Sequence, residues 1–164
     1  MFGAVVLDAS VFVAAARRIE DDHTASRDVM AELIACGARL HMPTIVIPEV
    51  TAALVRRGAD VDAVTDLMRV IDSWPGRSFE VVDVDLAERA ASLAAAQGLR
   101  GCDAVYVALA AMLDATLITL DLAQRQRLPP GVAALTPTEA LEGLTKPHGH
   151  GSLQGRGTSS RRFC

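Results

Sequence analysis

Ala4-Val5-Val6-Leu7-Asp8-Ala9-Ser10-Val11-Phe12-Val13-Ala14-Ala15-Ala16 is the stretch that decides how this chain folds. Four small or β-branched apolar residues run into one aspartate. A short apolar run ended by a polar break reads as a buried strand. Ser10, placed before a second apolar run, reads as the N-cap of a helix. Strand, turn and helix follow one another, with Asp8 at the carboxyl end of the strand. In open α/β sheets that edge collects ligands. Taken alone, Asp8 is better explained as a turn residue, so a functional reading depends on further acids reaching the same edge.

Working outward, the same alternation repeats. Thr24 to Ala35 is a predicted helix, with Val29, Met30, Leu33 and Ile34 on its apolar face and Gly37 as its stop. The polar loop before it carries His23, expected to be solvated. Arg39 to Met42 is a second strand closed by Pro43, with His41 pointing outward. The stretch from Thr44 reads as a helix with Arg56 and Arg57 in its last turn and Gly58 just past it. Pro48 is tolerated only in the first turn, where no N–H is needed. Glu49 therefore also stands near that helix's N-terminus. Its bland role is to favour the helix dipole; its functional role is to point from the edge that holds Asp8.

Asp60 or Asp62 is expected to cap a helix from Ala63 to Ile71, and Trp74-Pro75-Gly76 a turn. Phe79 to Val84 alternates like a third strand. Asp85 then starts a helix from Leu86 to Gln97, ended by Gly98. In Leu99-Arg100-Gly101-Cys102-Asp103-Ala104-Val105-Tyr106, Asp103 opens a helix that is apolar nearly all round, hence central and buried. Asp103 as a plain N-cap explains that residue alone. Thr116 to Asp121 is a fourth strand, again ending in aspartate. Leu122 to Arg127 is a short helix and Val132 to Leu135 a fifth strand. Thr136-Pro137-Thr138-Glu139 carries a capping-box pattern.

With 164 residues, 51% of them hydrophobic, the chain suits one domain with a real core. That domain is expected over residues 1–144. From Thr145 the composition turns to Gly, Ser, His and Arg, which cannot bury enough surface to order itself. Residues 145–164 read as a flexible tail, in which His148 and His150 form only a weak metal-binding tract. The longest uncharged apolar run, Ala104 to Leu113, is too short to span a bilayer. The first strand begins near Met1, where a signal peptide would need room. Cys36, Cys102 and Cys164 fit neither a disulfide framework nor a zinc site, which implies a reduced, cytoplasmic protein. The net charge of −4 argues against non-specific coating of nucleic acid, but not against an acidic, metal-filled cleft acting on it.

Alternating strands and helices predict a parallel sheet. Asp8, Glu49, Asp103 and Asp121 can then share its carboxyl edge. Clustered carboxylates repel one another, and a hard cation relieves that repulsion. Mg²⁺ or Mn²⁺ suits such oxygen donors and keeps water or phosphate oxygens in its shell. The chemistry implied is phosphodiester hydrolysis by a metal-activated water. Arg17, Arg18, Arg56, Arg57, Arg100, Arg125 and Arg127 are candidate phosphate contacts, although solvation or ion pairing explains most arginines.

Val6-Leu7-Asp8-Ala9-Ser10, Pro48-Glu49-Val50, Arg100-Gly101-Cys102-Asp103-Ala104-Val105-Tyr106 and Thr119-Leu120-Asp121 resemble the four acidic motifs of the PIN-domain family. In length and order the chain is similar to the VapC ribonuclease toxins of bacterial type II toxin–antitoxin systems. The resemblance runs from about Val5 to Leu144. It implies a three-layer α/β/α sandwich and metal-dependent RNA cleavage. Asp8, Glu49, Asp103 and Asp121 would be the metal-binding acids, with Ser10 and Thr119 as supporting hydroxyls. It also implies a homodimer, and a VapB-type antitoxin whose C-terminal segment covers the acids. Cys102 stands where the family has a small residue, and Pro48 directly before the glutamate departs from the usual pattern.

Two other classes compete with that reading. A phosphatase-type α/β hydrolase of the haloacid-dehalogenase kind wants a second aspartate two residues after the first; here that residue is Ser10. A non-catalytic PIN-like module, binding RNA or protein, would lack one or more of the four acids.

Overall fold

Residues 3–59 and 61–145 are described by the computed structural model. In chain order the elements are β1 (Ala4–Leu7), α1 (Ala9–Ala16), α2 (His23–Ala35), β2 (Arg39–Pro43), α3 (Val46–Arg56), α4 (Val61–Ser73) and β3 (Arg77–Glu80). There follow α5 (Val84–Gln97), α6 (Gly101–Leu113), β4 (Thr116–Ile118), α7 (Leu122–Arg125), β5 (Ala134–Leu135) and α8 (Pro137–Thr145). The five strands make one sheet in the order β3-β2-β1-β4-β5, every pair parallel. β1 is its centre, and Val5, Val6 and Leu7 are each 0% exposed. An uninterrupted apolar run of this kind is what a strand covered on both faces requires.

The layers follow from the strand order. Steps from β1 to β2 to β3 run one way, and the step from β3 to β4 returns past β1 to its other side. Parallel crossovers are right-handed, so helices on opposite steps lie on opposite faces. α1 accordingly contacts α2, α3 and α4 in one layer, while α6 lies across β1, β2 and β4 with α5 packed on it in the other. This is the expected three-layer sandwich. α6 has neighbours on all sides, which is why its sequence is apolar all round: Ala104 to Ala110 are buried without a break. The direction of winding reverses between β1 and β4, the switch point where such sheets open a crevice at their carboxyl ends.

Several boundaries differ from the sequence reading. Asp8, not Ser10, caps α1: its backbone is extended and its Oδ1 accepts a hydrogen bond from Ser10 N at 2.8 Å. β3 begins at Arg77 and stops at Glu80 because its partner β2 ends at Pro43, opposite Glu80. Val81 and Val84, which continued the alternation, are exposed. Asp83, not Asp85, then caps α5, accepting from Leu86 N at 3.0 Å. β4 ends at Ile118, three residues before Asp121, because Leu120 N turns away from the sheet to Ser10 Oγ at 3.1 Å. β5 is only Ala134–Leu135, the length that β4 offers to pair. Asp103 lies in the first turn of α6, with Arg100 at the cap position, so a plain N-cap no longer explains it. His23 is not a solvated loop residue; it opens α2, half-buried, with Nδ1 3.0 Å from the Ala14 carbonyl oxygen. His41 is half-buried and meets Glu80 Oε1 across the β2–β3 pair at 2.9 Å. That bond, followed by one from Ser78, holds the Glu80 carboxyl below the usual range.

The capping box is present in full: Thr136 N donates to Glu139 Oε2 at 2.7 Å and Glu139 N donates to Thr136 Oγ1 at 3.1 Å. Asp60 and the histidine-bearing stretch 146–164 lie outside the described residues. No helix among the described residues is long and apolar enough to cross a membrane.

Candidate active site

All four acids stand at the carboxyl edge of the sheet, each delivered by a different junction. Asp8 ends β1 and is 6% exposed. Its backbone N–H donates to Ile118 O at 3.0 Å, which seats it beside the end of β4. Glu49 lies in the first turn of α3, as the position of Pro48 requires. Asp103 lies in the first turn of α6. Asp121 caps α7, its Oδ1 accepting from Gln124 N at 2.9 Å.

The charges feel one another. Burial pushes the Asp8 carboxyl above its ordinary pKa, and the nearby Asp103 and Glu49 carboxylates push it the same way, against the hydrogen bonds from Ser10. A buried carboxyl that faces further anions gains most from a cation. The other acids are held by partners. Glu49 Oε2 accepts a 2.6 Å hydrogen bond from Tyr106 OH. Arg100 bridges two acids: its Nε donates to Asp103 Oδ2 at 2.7 Å, and its terminal nitrogen donates to Asp121 Oδ2. The guanidinium side chain is 67% exposed, whereas those of Asp103 and Asp121 are 17% and 25% exposed.

Ser10 and Thr119 support the edge through the main chain. Ser10 Oγ accepts from Leu120 N, and Thr119 Oγ1 accepts from Asp121 N at 3.0 Å. Together they fix the turn that carries Asp121. Thr119 is 0% exposed. Cys102, exposed at the start of α6, has its thiol pKa pushed up by partial burial and then by Glu49, which lowers its thiolate fraction and its reactivity.

Two residues of the site, Tyr106 and Gln124, were given no role by the sequence, and Arg100 was given a different one. Tyr106 is the chain's only tyrosine and follows Asp103 by three, the spacing that puts both on one helix face. Gln124 follows Asp121 by three, and that Asp-x-x-Gln pattern was its available signal. Gln124 is 0% exposed, and its Nε2 donates to Asp103 O at 3.2 Å, tying α7 to α6. Arg100 stood in view as one arginine among many.

Tyr106 is 1% exposed, and burial, then the Glu49 hydrogen bond, raises its phenol well above the ordinary value. It therefore remains a donor throughout the neutral range. Tyr106→Phe is expected to lower stability by about 1–3 kcal/mol, the cost of losing a partly buried hydrogen bond to a charged group. Urea unfolding at pH 7 measures this. An unchanged midpoint would show that Glu49 does not depend on the phenol.

Divalent metal fits the chemistry of this donor set: every group is a hard oxygen, Asp8 is buried near two further carboxylates, and Arg100 pairs with only two of the four acids. The set is not closed around a point. Among the described residues, no three His, Cys, Asp or Glu side chains form a ready-made metal cage. Arg100 holds two of the acids instead, and an exposed ion pair is given up at little cost.

The PIN domain family model matches residues 5–127, most of the chain and all four acids. This chain belongs to the PIN-domain family. No curated protein sequence matches it. Among solved structures it is similar to VapC20 of Mycobacterium tuberculosis, a sarcin–ricin-loop-cleaving toxin, with 18% identity, a TM-score of 0.61, and 73% of this chain and 92% of that one covered. PAE2754 from Pyrobaculum aerophilum is similar at 23% identity and a TM-score of 0.61, covering 87% of this chain and 95% of that one. VapBC2 from Rickettsia felis, solved bound to a DNA fragment from its promoter, is similar at 14% identity and a TM-score of 0.61, covering 81% and 98%. At such identities the likeness is one of fold.

Proposed function

We propose that the chain is a metal-dependent ribonuclease, the toxin of a VapBC-type toxin–antitoxin pair. The observation that carries the reading is the convergence of Asp8, Glu49, Asp103 and Asp121 on one sheet edge: Asp103 and Glu49 lie close enough to act on the buried Asp8, and Arg100 joins Asp103 to Asp121. These four residues would hold the cation, Mg²⁺ or Mn²⁺. When bound, it supplies an activated water and neutralises charge on the phosphorus. The chain's own work is placement. Tyr106 fixes the Glu49 carboxylate, Gln124 ties the Asp103 main chain to α7, and Ser10 and Thr119 hold the turn bearing Asp121. Ser10 in place of a second aspartate disfavours the phosphatase-type alternative, and the presence of all four acids disfavours a purely binding module. The partner in this reading is a VapB-type antitoxin that sets an arginine or lysine against the acids, on a homodimeric toxin. Charge complementarity favours such a plug.

The direct test is incubation of the purified protein with single-stranded and structured RNAs in Mg²⁺, Mn²⁺ or EDTA, with the cut ends mapped. Cleavage at defined positions with metal, and none in EDTA, is the expected result. Intact RNA under every condition would overturn the reading.

Arg100 gives a second handle on the same site. Arg100→Ala removes the guanidinium that competes for Asp103 and Asp121. The Mg²⁺ concentration at half-maximal thermal stabilisation is expected to fall about 3–10-fold, while the metal-free protein loses at most about 1 kcal/mol with an exposed pair. A midpoint that stays put would show that Arg100 and the metal do not compete.

A further inference from the structure

A crevice lined at one end by Glu49 and Asp121 extends well beyond them. It encloses about 680 Å³ between α1 and α3. Along α3 its wall is Glu49, Ala52, Ala53 and Arg56, spaced i, i+3, i+4, i+7 on one helix face. At 1.5 Å per residue, Arg56 stands about 10 Å along the axis from Glu49. One end of the groove is thus a carboxylate and the other a guanidinium, with two alanine methyls between them. Arg57 also lines it, and passes into an adjoining hollow of about 330 Å³ shared with Arg17 and Arg18. Two arginine pairs, at the ends of two touching helices, form one rim.

Acids share that rim. Glu20 is paired with Arg17 at 2.8 Å, and Asp22 faces the groove. Arg18, Arg56 and Arg57 are exposed and make no ion pair among the described residues. Arg17, Arg18, Arg56 and Arg57 against Glu20 and Asp22 leave this end of the groove net positive, while the end at Glu49 and Asp121 is negative. A cation near a helix C-terminus favours the dipole, which accounts for one guanidinium per helix but not for their alignment on a groove that begins at the acids.

We propose that this rim is a phosphate track that holds a single RNA strand on one side of the cut phosphate. This rests on the ribonuclease reading and extends it. A groove of this volume matches a ligand-sized segment of one strand rather than a duplex. Its lining includes no aromatic side chain, so the track grips backbone charge and is tolerant of base sequence.

The test is binding of a short fluorescent single-stranded RNA in EDTA across a salt series, beside cleavage in Mg²⁺. For a single strand, each phosphate that is no longer neutralised lowers the log–log salt slope by about 0.7. The double variant Arg56→Ala, Arg57→Ala is expected to lower it by about 1.4 and to weaken binding about 10-fold at low salt. It should raise KM with kcat held, and lower the melting temperature by no more than about 4 °C, the share of one helix-end charge. The corresponding pair of lysine substitutions should restore the slope. A wild-type slope in the alanine variant, with RNA still cleaved, overturns the track and leaves the ribonuclease reading intact. Arginine-dependent binding of RNA that is never cleaved keeps the track and removes the ribonuclease. Polyglutamate bound as tightly as RNA, with the same arginine dependence, overturns the track in favour of an acidic protein segment.

Discussion

Asp8→Asn is expected to lower RNA cleavage by about 10³-fold, in line with the loss of a central electrostatic group from an active site. The metal-free variant should nevertheless melt at or above wild type. Asn keeps the acceptor that caps α1 at Ser10 N, and it removes a charge that burial, Asp103 and Glu49 all disfavour. The pH dependence gives the sign. The folded pKa of Asp8 lies above its ordinary 3.8, so over that interval the folded protein binds more protons than the unfolded chain. The associated stability is complete below pH 3.8 and is lost as pH rises through the folded pKa. The variant has no such loss, so its advantage in melting temperature should grow from mildly acid to neutral pH in EDTA. Added Mg²⁺ should reverse the order, because metal stabilises only the site that binds it. A variant that cleaves at the wild-type rate would remove Asp8 from the site; one that melts well below wild type would show that its carboxylate serves the fold.

Gln124→Leu is expected to separate function from stability in a second way. Gln124 is fully buried, and its Oε1 has no hydrogen-bond partner among the described residues. An unpaired buried polar atom costs about 1–3 kcal/mol. Leucine keeps much of the volume and removes that atom, so stability should stay within about 1 kcal/mol of wild type or rise. The tie from Nε2 to Asp103 O is lost with it. Residues that orient metal ligands typically matter 10–100-fold, so Mg²⁺ affinity and cleavage should each fall by about that factor. Calorimetric Mg²⁺ titration alongside chemical denaturation measures both. A variant with unchanged affinity would reduce Gln124 to a packing residue.

The parts of this fold that were legible in the sequence are those governed by local rules. The apolar run into Asp8 marked the central strand, Pro48 fixed Glu49 in a first turn, and Thr136 with Glu139 spelled out a cap that the structure contains. The misread boundaries share a physical cause. Phe79 to Val84 alternates like a strand, but a strand lasts only as long as its partner, and β2 ends opposite Glu80. Leu120 is as apolar as its predecessors, yet its N–H is taken by Ser10, a residue 110 positions away. Pairings of that range leave no trace in a window of ten residues. The acids were visible because four motifs recur at junctions between elements. The groups that hold them were not, because Tyr106, Gln124 and Arg100 acquire meaning only when α3, α6 and α7 meet.

One metal site built from four carboxylates, cutting RNA, is the central claim. The most direct measurement is the single-turnover cleavage rate of one mapped RNA as a function of Mg²⁺ concentration. It should be made for the wild type and for the four variants Asp8→Asn, Glu49→Gln, Asp103→Asn and Asp121→Asn. The expected result is no cleavage in EDTA, a saturable rise with Mg²⁺ for the wild type, and a loss of about 100-fold or more in each variant. Wild-type cleavage that persists in EDTA, or that survives neutralisation of all four acids in one protein, would contradict it.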